Sequence, residues 1–205
     1  MATEPQHHFK VLLLGDSDIG MPQYLARVLD NVWNPNPPSK VGLDFKLKDL
    51  TVDGASVRLS IWDSAGRDGY YLTSTYFRGA QGVIFLYSRL DIASFRHLAD
   101  WIDRVHRSNA SGTFCKMILA HDFKKSPDDS LCVTEEDGLT LARENKALHF
   151  VISAETGENV QTSIMEFVRL LVKNASPPIG SHASPSTIRL DARPSQPTKS
   201  DSCCA

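Results

Sequence analysis

The sequence predicts an α/β fold in which helices cover both faces of a six-stranded, mainly parallel sheet. Six short apolar runs have the length and composition of strands, and amphipathic helical patterns lie between most of them. The second and third runs are instead joined by Asp53-Gly54, a dipeptide typical of tight hairpin turns. One antiparallel hairpin followed by strand and helix alternation favours a sheet whose other strands are parallel.

The predicted elements follow one another regularly along the chain. The strand-like runs are residues 9–14, 43–50, 57–62, 82–87, 115–120 and 148–152. The helical patterns cover residues 22–31, 92–108, 135–146 and 159–173, and Thr134 is a suitable N-cap for the third. We therefore expect a flexible N-terminus at residues 1–8, one folded domain at 9–173, and a disordered tail rich in Ser and Pro at 174–205.

Composition argues against several classes of protein. A formal net charge of -2 gives no basic excess of the kind that nucleic-acid binding needs. No apolar run approaches the roughly 20 residues of a membrane-spanning helix, so we expect a cytosolic protein unless a lipid anchors it. The spacing of the four cysteines fits neither a disulfide framework nor a zinc site.

The histidines also predict no metal site. His7 and His8 fall in the expected flexible N-terminus. Four others lack paired ligand spacing and are expected on the surface or on a helix face: His97, His106, His121 and His149.

A glycine-containing loop follows the first predicted strand. Its residues are Gly15, Asp16, Ser17, Asp18, Ile19, Gly20, Met21 and Pro22. The two glycines fit G-x-x-x-x-G-K-[ST], a motif in which backbone N–H groups and the lysine hold phosphates while the hydroxyl binds magnesium. Met21 and Pro22 stand at the lysine and hydroxyl positions, and Asp18 adds a carboxylate that would repel a polyphosphate. Taken alone, the loop equally predicts a simple strand-to-helix turn, whose first turn Pro22 suits.

Further segments occur in the order and at the separations of a known family. Residues 41–45, 58–62, 63–68 and 76–80 read VGLDF, RLSIW, DSAGRD and YFRGA. They resemble the IGVDF, KLQIW, DTAGQE and YYRGA motifs of the Rab family of small GTPases, and residues 153–155 resemble its SAK motif. The resemblance implies a small-GTPase (P-loop) fold. It also implies a guanine-nucleotide switch, lipid-anchored on vesicle and organelle membranes, that recruits effectors when GTP is bound.

By the same resemblance, the phosphate and magnesium side of the nucleotide site is degraded. The threonine that completes the magnesium site corresponds to Lys40, whose cation would oppose the metal. The glutamine that orients the attacking water corresponds to Arg67, which has no acceptor and leaves no intact catalytic residue. Asp63 and Gly66 are retained.

The guanine side of the site departs from the family in the same way. The NKxD motif corresponds to His121, Asp122, Phe123 and Lys124. A donor-only lysine therefore replaces the aspartate that accepts two hydrogen bonds from guanine. Ser153 and Ala154 are retained from SAK, whereas Glu155 replaces its lysine. Trp33 stands where the family often has an aromatic ring against the base, and packing on the first helix explains it equally well.

Two other features survive better than the nucleotide site. Phe45, Trp62 and Tyr76 match the three aromatics of the Rab effector epitope, although aromatic strand residues also commonly cap a sheet. The terminal Cys203-Cys204-Ala205 resembles a prenylated Rab end, which implies two geranylgeranyl groups; the alternative is a pair of idle thiols.

These expectations combine into a Rab-like pseudo-GTPase, a lipid-anchored binding module in vesicle traffic with no bound cofactor. Its expected partners are the cytoplasmic face of an intracellular membrane, effector or tethering proteins, and prenylation escort and GDI-type proteins, but no nucleic acid. The alternatives are a slow GTPase that binds GTP or GDP with Mg²⁺, and an unlipidated cytosolic scaffold.

Overall fold

The computed structural model describes residues 4–37, 44–64, 74–108, 114–123 and 133–175. Strands and helices alternate through these ranges. They are β1 (His7–Leu14), α1 (Met21–Asp30), β2 (Asp44–Val52), β3 (Ala55–Asp63), α2 (Ser74–Phe77), β4 (Gly82–Ser88), α3 (Ile92–Ser108), β5 (Cys115–His121), α4 (Glu135–Asn145), β6 (Leu148–Ile152) and α5 (Val160–Asn174). The predicted α/β class with a six-stranded, mainly parallel sheet is confirmed.

The sheet has the strand order β2-β3-β1-β4-β5-β6, and only the β2–β3 pair is antiparallel. Asp53 and Gly54 both have positive φ, at 51° and 84°, as the predicted hairpin turn requires. Thr134 caps α4 as predicted, in a reciprocal capping box with Asp137.

Two apolar layers enclose the sheet. On one face, α1 and α5 cover a core that includes Val11, Leu13, Ile61, Ile84 and Phe167. On the other face, α3 and α4 cover a second core that includes Leu12, Phe85, Trp101, Ile118 and Ala142. Because neighbouring strand residues alternate between the faces, β1 contributes to both layers.

The first strand begins earlier than the sequence predicted. His7 and His8 pair with Val57 and Arg58 of β3, so the assignment of these two residues to a flexible N-terminus was wrong. The His7 ring stacks on Phe9 at 5.6 Å, and Nε2 of His8 lies 2.7 Å from Oγ of Ser60. Pairing with a strand 50 residues away, not a local apolar pattern, extends β1. The short helix α2 was not predicted either.

Parallel topology brings four connecting segments to one edge of the sheet. The carboxyl ends of β1, β3, β5 and β6 lead respectively into residues 15–20, Ser64, residues 122–123 and residues 153–155. Ligands of open α/β sheets bind beyond the carboxyl ends of the strands. Residues 15–20, 122–123 and 153–155, which belong to the predicted nucleotide site, therefore lie at the same edge of the sheet.

Candidate functional site: a phosphate loop with internal partners

The backbone of residues 15–20 forms a tight turn between β1 and α1. A Cβ on Gly15 would lie 2.5 Å from the carbonyl oxygen of Leu86, so β4 leaves no room for a side chain there. Gly20 precedes α1 with φ of 87°, and Asp18 also lies in the left-handed region, at 63°. The tight turn of the motif is thus formed without its lysine and hydroxyl.

The side chain at the lysine position does not face a ligand. Met21 is 3% exposed and belongs to the core between the sheet and helices α1 and α5. Pro22 is exposed in the first turn of α1, where its missing N–H is harmless. No lysine or arginine occurs from Gly15 to Pro22, so this loop offers a polyphosphate no side-chain cation.

Helix α3 holds the first half of the loop. The carboxylate of Asp16 accepts from Nε1 of Trp101 at 3.0 Å, and its other oxygen lies 2.6 Å from Nδ1 of His97. The hydrogen bond to Asp16 raises the pKa of His97 above its usual range. Asp16 therefore joins the loop to α3.

The described residues do not fit a magnesium ion. Pro22 has no oxygen at the hydroxyl position, and both oxygens of Asp16 already have protein partners. Asp63 is buried and 4% exposed, but a single carboxylate is a poor start for a site of octahedral oxygen ligands. Lys40, Gly66 and Arg67 lie outside the described residues.

His121 forms hydrogen bonds to two of the segments at this edge of the sheet, residues 15–20 and residues 153–155. Its Nδ1 donates to the carbonyl of Ile19 at 2.9 Å, and the N–H of Ala154 donates to its Nε2 at 3.2 Å. The imidazole is fully buried and stacks on Phe123 with centroids 5.3 Å apart. One neutral tautomer satisfies both bonds, because it has one donor and one acceptor nitrogen.

The prediction that His121 lies on the surface or on a helix face was therefore wrong. The residue ends a central strand, and a Cβ on Gly20 would lie 2.5 Å from Cε1 of His121 and 2.8 Å from Cδ2 of Phe123. The two rings thus fill the space directly behind the phosphate loop. His97 and His106 are exposed on α3 as expected, whereas His149 lies half-buried in β6.

Arg27 provides a second connection, which the sequence did not reveal. From α1, its Nε donates to the carbonyl of Ala154 at 2.9 Å and its Nη2 donates to the carbonyl of Glu155 at 2.7 Å. Its Nη1 donates to the carbonyl of Asn31 at 3.0 Å, beyond the end of the same helix. The planar fork thus fixes the β6–α5 segment to α1.

The remaining predicted residues of the guanine side lie around this framework. Asp122 pairs with Arg89 at 3.3 Å, so a paired carboxylate stands where NKxD has a lysine. Oγ of Ser153 accepts from the N–H of Thr156, and the side chain of Glu155 is exposed. Trp33 is half-buried without a ring contact to another described aromatic, so neither interpretation of it is tested. Lys124 lies outside the described residues.

The stability of the domain should fall in mild acid because of His121. Burial lowers the pKa of His121 below the 6.5 of a free imidazole, although the Ile19 carbonyl and Asp122 oppose this effect. Near pH 6.5, His121 therefore binds a proton in the unfolded chain but not in the folded chain. The stabilisation is complete above pH 6.5 and decreases as the pH falls from 6.5 towards the folded pKa.

Urea unfolding at pH 7.5, 6.5 and 5.5 measures this effect. We expect the free energy of unfolding to fall by up to about 1.4 kcal/mol per pH unit below 6.5, relative to His121→Asn. The comparison with His121→Asn cancels the contributions of His97 and His149, whose pKa values shift in opposite directions. Parallel pH profiles for the two proteins would contradict a neutral, buried His121.

The three predicted effector aromatics form a connected stack on the side of the sheet away from α1. The rings of Phe45 and Trp62 stack with their centroids 5.3 Å apart. The rings of Trp62 and Tyr76 meet edge-to-face with their centroids 6.3 Å apart. Phe45 is 49% exposed, whereas Tyr76 is 3% exposed and its hydroxyl donates to the carbonyl of Trp62 at 2.8 Å. Nζ of Lys10 lies 4.4 Å from the Trp62 ring centroid. Phe45 and Trp62 thus form the accessible surface, and Tyr76 supports them from below.

The family is decided by similarity over most of the chain. Residues 10–173 match the Ras family model. Over 173 residues, the chain is 33% identical to the Ras-related protein Rab-18 of Caenorhabditis briggsae, which covers 84% of each protein. The chain belongs to the Rab family of small GTPases. It is also 31% identical to Rab-13 of Mesocricetus auratus over 99% of this chain and 98% of that one, and 30% identical to RABD1 of Arabidopsis thaliana over 100% and 99%.

The predicted resemblance is thereby confirmed, together with the role that goes with it. As a Rab protein, the chain is a regulator of membrane traffic, and its Rab homologues act at the cytoplasmic faces of intracellular membranes. None of the described helices combines the length and apolar character that crossing a bilayer requires.

Proposed function

We propose that this Rab protein is a pseudo-GTPase, a lipid-anchored binding module whose nucleotide site is held together by its own side chains. The observation that carries the proposal is the double hydrogen bond of His121, which joins the phosphate loop at Ile19 to the β6–α5 segment at Ala154. By resemblance, a bound nucleotide would lie between these two segments. His121 therefore joins these two segments without a ligand.

The energetic argument concerns the four replaced ligand positions, which are Met21, Pro22, Lys40 and Lys124. Each hydrogen bond that involves a charged group contributes about 1.5 to 3 kcal/mol. Their loss removes about 6 to 12 kcal/mol before non-additivity, which is several powers of ten in affinity. Calorimetric titration of the chain with GTP and Mg²⁺ tests the proposal. We expect no saturable binding, and a micromolar or tighter dissociation constant would refute it.

One observation favours a slow GTPase as the second candidate. The loop retains its glycines and its left-handed turn, and backbone N–H groups alone provide some affinity for phosphate. This candidate requires magnesium-dependent binding in the same titration and measurable phosphate release. Binding without release would leave a nucleotide-loaded module with no hydrolytic function.

The binding role rests on the accessible surface of Phe45 and Trp62. We expect Trp62→Ala to abolish capture of membrane-tethering partners, because it removes both the half-buried indole ring and the platform of Phe45. Val32→Ala is the matched control, since Val32 is 52% exposed and lies outside this stack. Partner capture is compared by pull-down, after thermal unfolding has shown that both variants are folded. Equal capture by Trp62→Ala and wild type would refute this role.

The membrane attachment rests on Cys203 and Cys204. Two prenyl chains give stable anchoring where a single chain gives marginal binding. Mass spectrometry of the C-terminal peptide from cells should show two geranylgeranyl groups, and interaction with prenylation escort and GDI-type proteins would follow from them. Two unmodified thiols would instead support the unlipidated scaffold.

A further inference from the structure

Basic side chains from three elements meet at the edge of the sheet opposite the phosphate loop. Lys116 is the second residue of β5, and its Nζ lies 3.4 Å from Nε2 of His106 in the last turn of α3. Lys146 is the C-cap of α4. Burial lowers the pKa of Lys116, and the charge of Lys146 lowers it further. Across the described ranges, neither lysine forms an ion pair with a carboxylate. We call His106, Lys116 and Lys146 the basic end.

The chain leaves the domain beside this basic end. In the last turn of α5, Nδ2 of Asn174 lies 3.5 Å from Sγ of Cys115, the residue next to Lys116. Cys203 and Cys204 follow Ala175 after the 27 residues 176–202. A lipid at the cysteines would therefore keep the basic end within reach of the bilayer surface.

The tail itself adds little attraction to an anionic surface. Its three basic residues, Arg189, Arg193 and Lys199, are offset by Asp191 and Asp201. Besides Lys173, which is exposed in the last turn of α5, the basic groups near the exit point that form no ion pair with a carboxylate in the described ranges are those of the basic end.

Helix dipoles do not fully account for this arrangement. Cations are favourable at helix C-termini, which explains basic residues such as Arg107, already paired with Asp103. Lys116 belongs to a strand, however, and points its ammonium at another basic side chain. Lys146 adopts φ of 53°, a left-handed conformation that usually selects Gly or Asn at a helix end. No helix end explains the cation of Lys116, whereas the cation of Lys146 is also favoured by the C-terminus of α4.

We propose that the basic end binds the headgroups of anionic phospholipids and so fixes the orientation of the domain on the membrane. The inference rests on the proposed membrane attachment, because the lipid tether supplies the local concentration that a few lysines alone do not. Bound in this way, the domain directs its phosphate-loop edge away from the bilayer.

The test uses the full chain with a decahistidine segment after Ala205, held on vesicles that contain a nickel-chelating lipid. Dissociation rates are compared between phosphatidylcholine vesicles and vesicles with 30% phosphatidylserine. Each basic residue near an anionic surface contributes about fivefold. We therefore expect dissociation of the wild type to slow by roughly 20-fold on the anionic vesicles, and the Lys116→Gln/Lys146→Gln variant to lose nearly all of this gain.

Arg96→Gln is the control, since Arg96 is exposed in the first half of α3, away from the basic end. It should keep at least three quarters of the wild-type gain, and 0.5 M salt should abolish the gain in both proteins. No gain in the wild type, an undiminished gain in the double lysine variant, or an equal loss in Arg96→Gln would overturn the proposal. The nickel tether replaces the natural lipid. Unmodified cysteines in the cell would therefore refute the proposed lipid attachment without changing the measured dissociation rates.

Discussion

Replacing His121 with alanine should destabilise the domain by about 3 to 5 kcal/mol. The change removes two hydrogen bonds and leaves the carbonyl of Ile19 and the N–H of Ala154 buried without a partner, at about 1 to 3 kcal/mol each. It also opens a cavity between Gly20 and Phe123, which adds to the loss. Urea unfolding at pH 7.5 measures the difference.

Two variants separate this connection from a general effect of losing an imidazole. His121→Asn restores the residue of the family motif, whose amide offers both a donor and an acceptor, so we expect it to recover at least half of the loss. His106→Ala removes an exposed ring and should change stability by less than about 0.5 kcal/mol. A loss below about 1 kcal/mol for His121→Ala would show that the two segments do not depend on His121.

Restoring the family residues at four positions should create nucleotide binding. The variant combines Met21→Lys, Pro22→Ser, Lys40→Thr and Lys124→Asp, which return the phosphate cation, two magnesium hydroxyls and the guanine carboxylate. These contacts provide at most about 12 kcal/mol of binding free energy. A third of that amount is enough to raise the affinity for GDP with Mg²⁺ about a thousandfold. Fluorescence titration with a labelled GDP measures the gain.

The matched control is Arg67→Gln, which restores the position that orients the attacking water. That residue acts on the hydrolysis step and should leave affinity within about threefold of the wild type. Without Lys124→Asp, the triple variant should bind GDP and ADP about equally, because the guanine acceptor is missing. A fourfold variant that folds and still fails to bind would show that the site is closed by more than these side chains.

The sequence predicted the fold because local patterns and the folded structure agree. The apolar alternation of the strands, the Asp53-Gly54 turn and the Thr134 cap each depend on residues that are close in the sequence, and all are present. The failures involve distant partners. His7 and His8 look like a polar terminus until β3 pairs with them.

The candidate site divides in the same way. The losses at Met21 and Pro22 can be recognised one position at a time, because a motif specifies which residue type the chemistry needs. The hydrogen bonds that hold the site together cannot be recognised in this way, because they join distant residues. His121 and Ile19 are 102 residues apart, and Arg27 and Ala154 are 127 residues apart. A histidine in a strand and an arginine in a helix carry no sign of such bonds. The sequence therefore indicated what the site lacks, and the structure supplies what replaces it.

The central claim is that this Rab domain is ordered by its own side chains and not by a nucleotide. Purifying the full chain without added nucleotide, denaturing it and measuring the released nucleotides by chromatography tests the claim directly. We expect less than about 0.05 equivalents of guanine nucleotide from a protein that unfolds cooperatively and whose melting temperature GTP and Mg²⁺ do not change. Release of close to one equivalent of GDP or GTP would contradict the account.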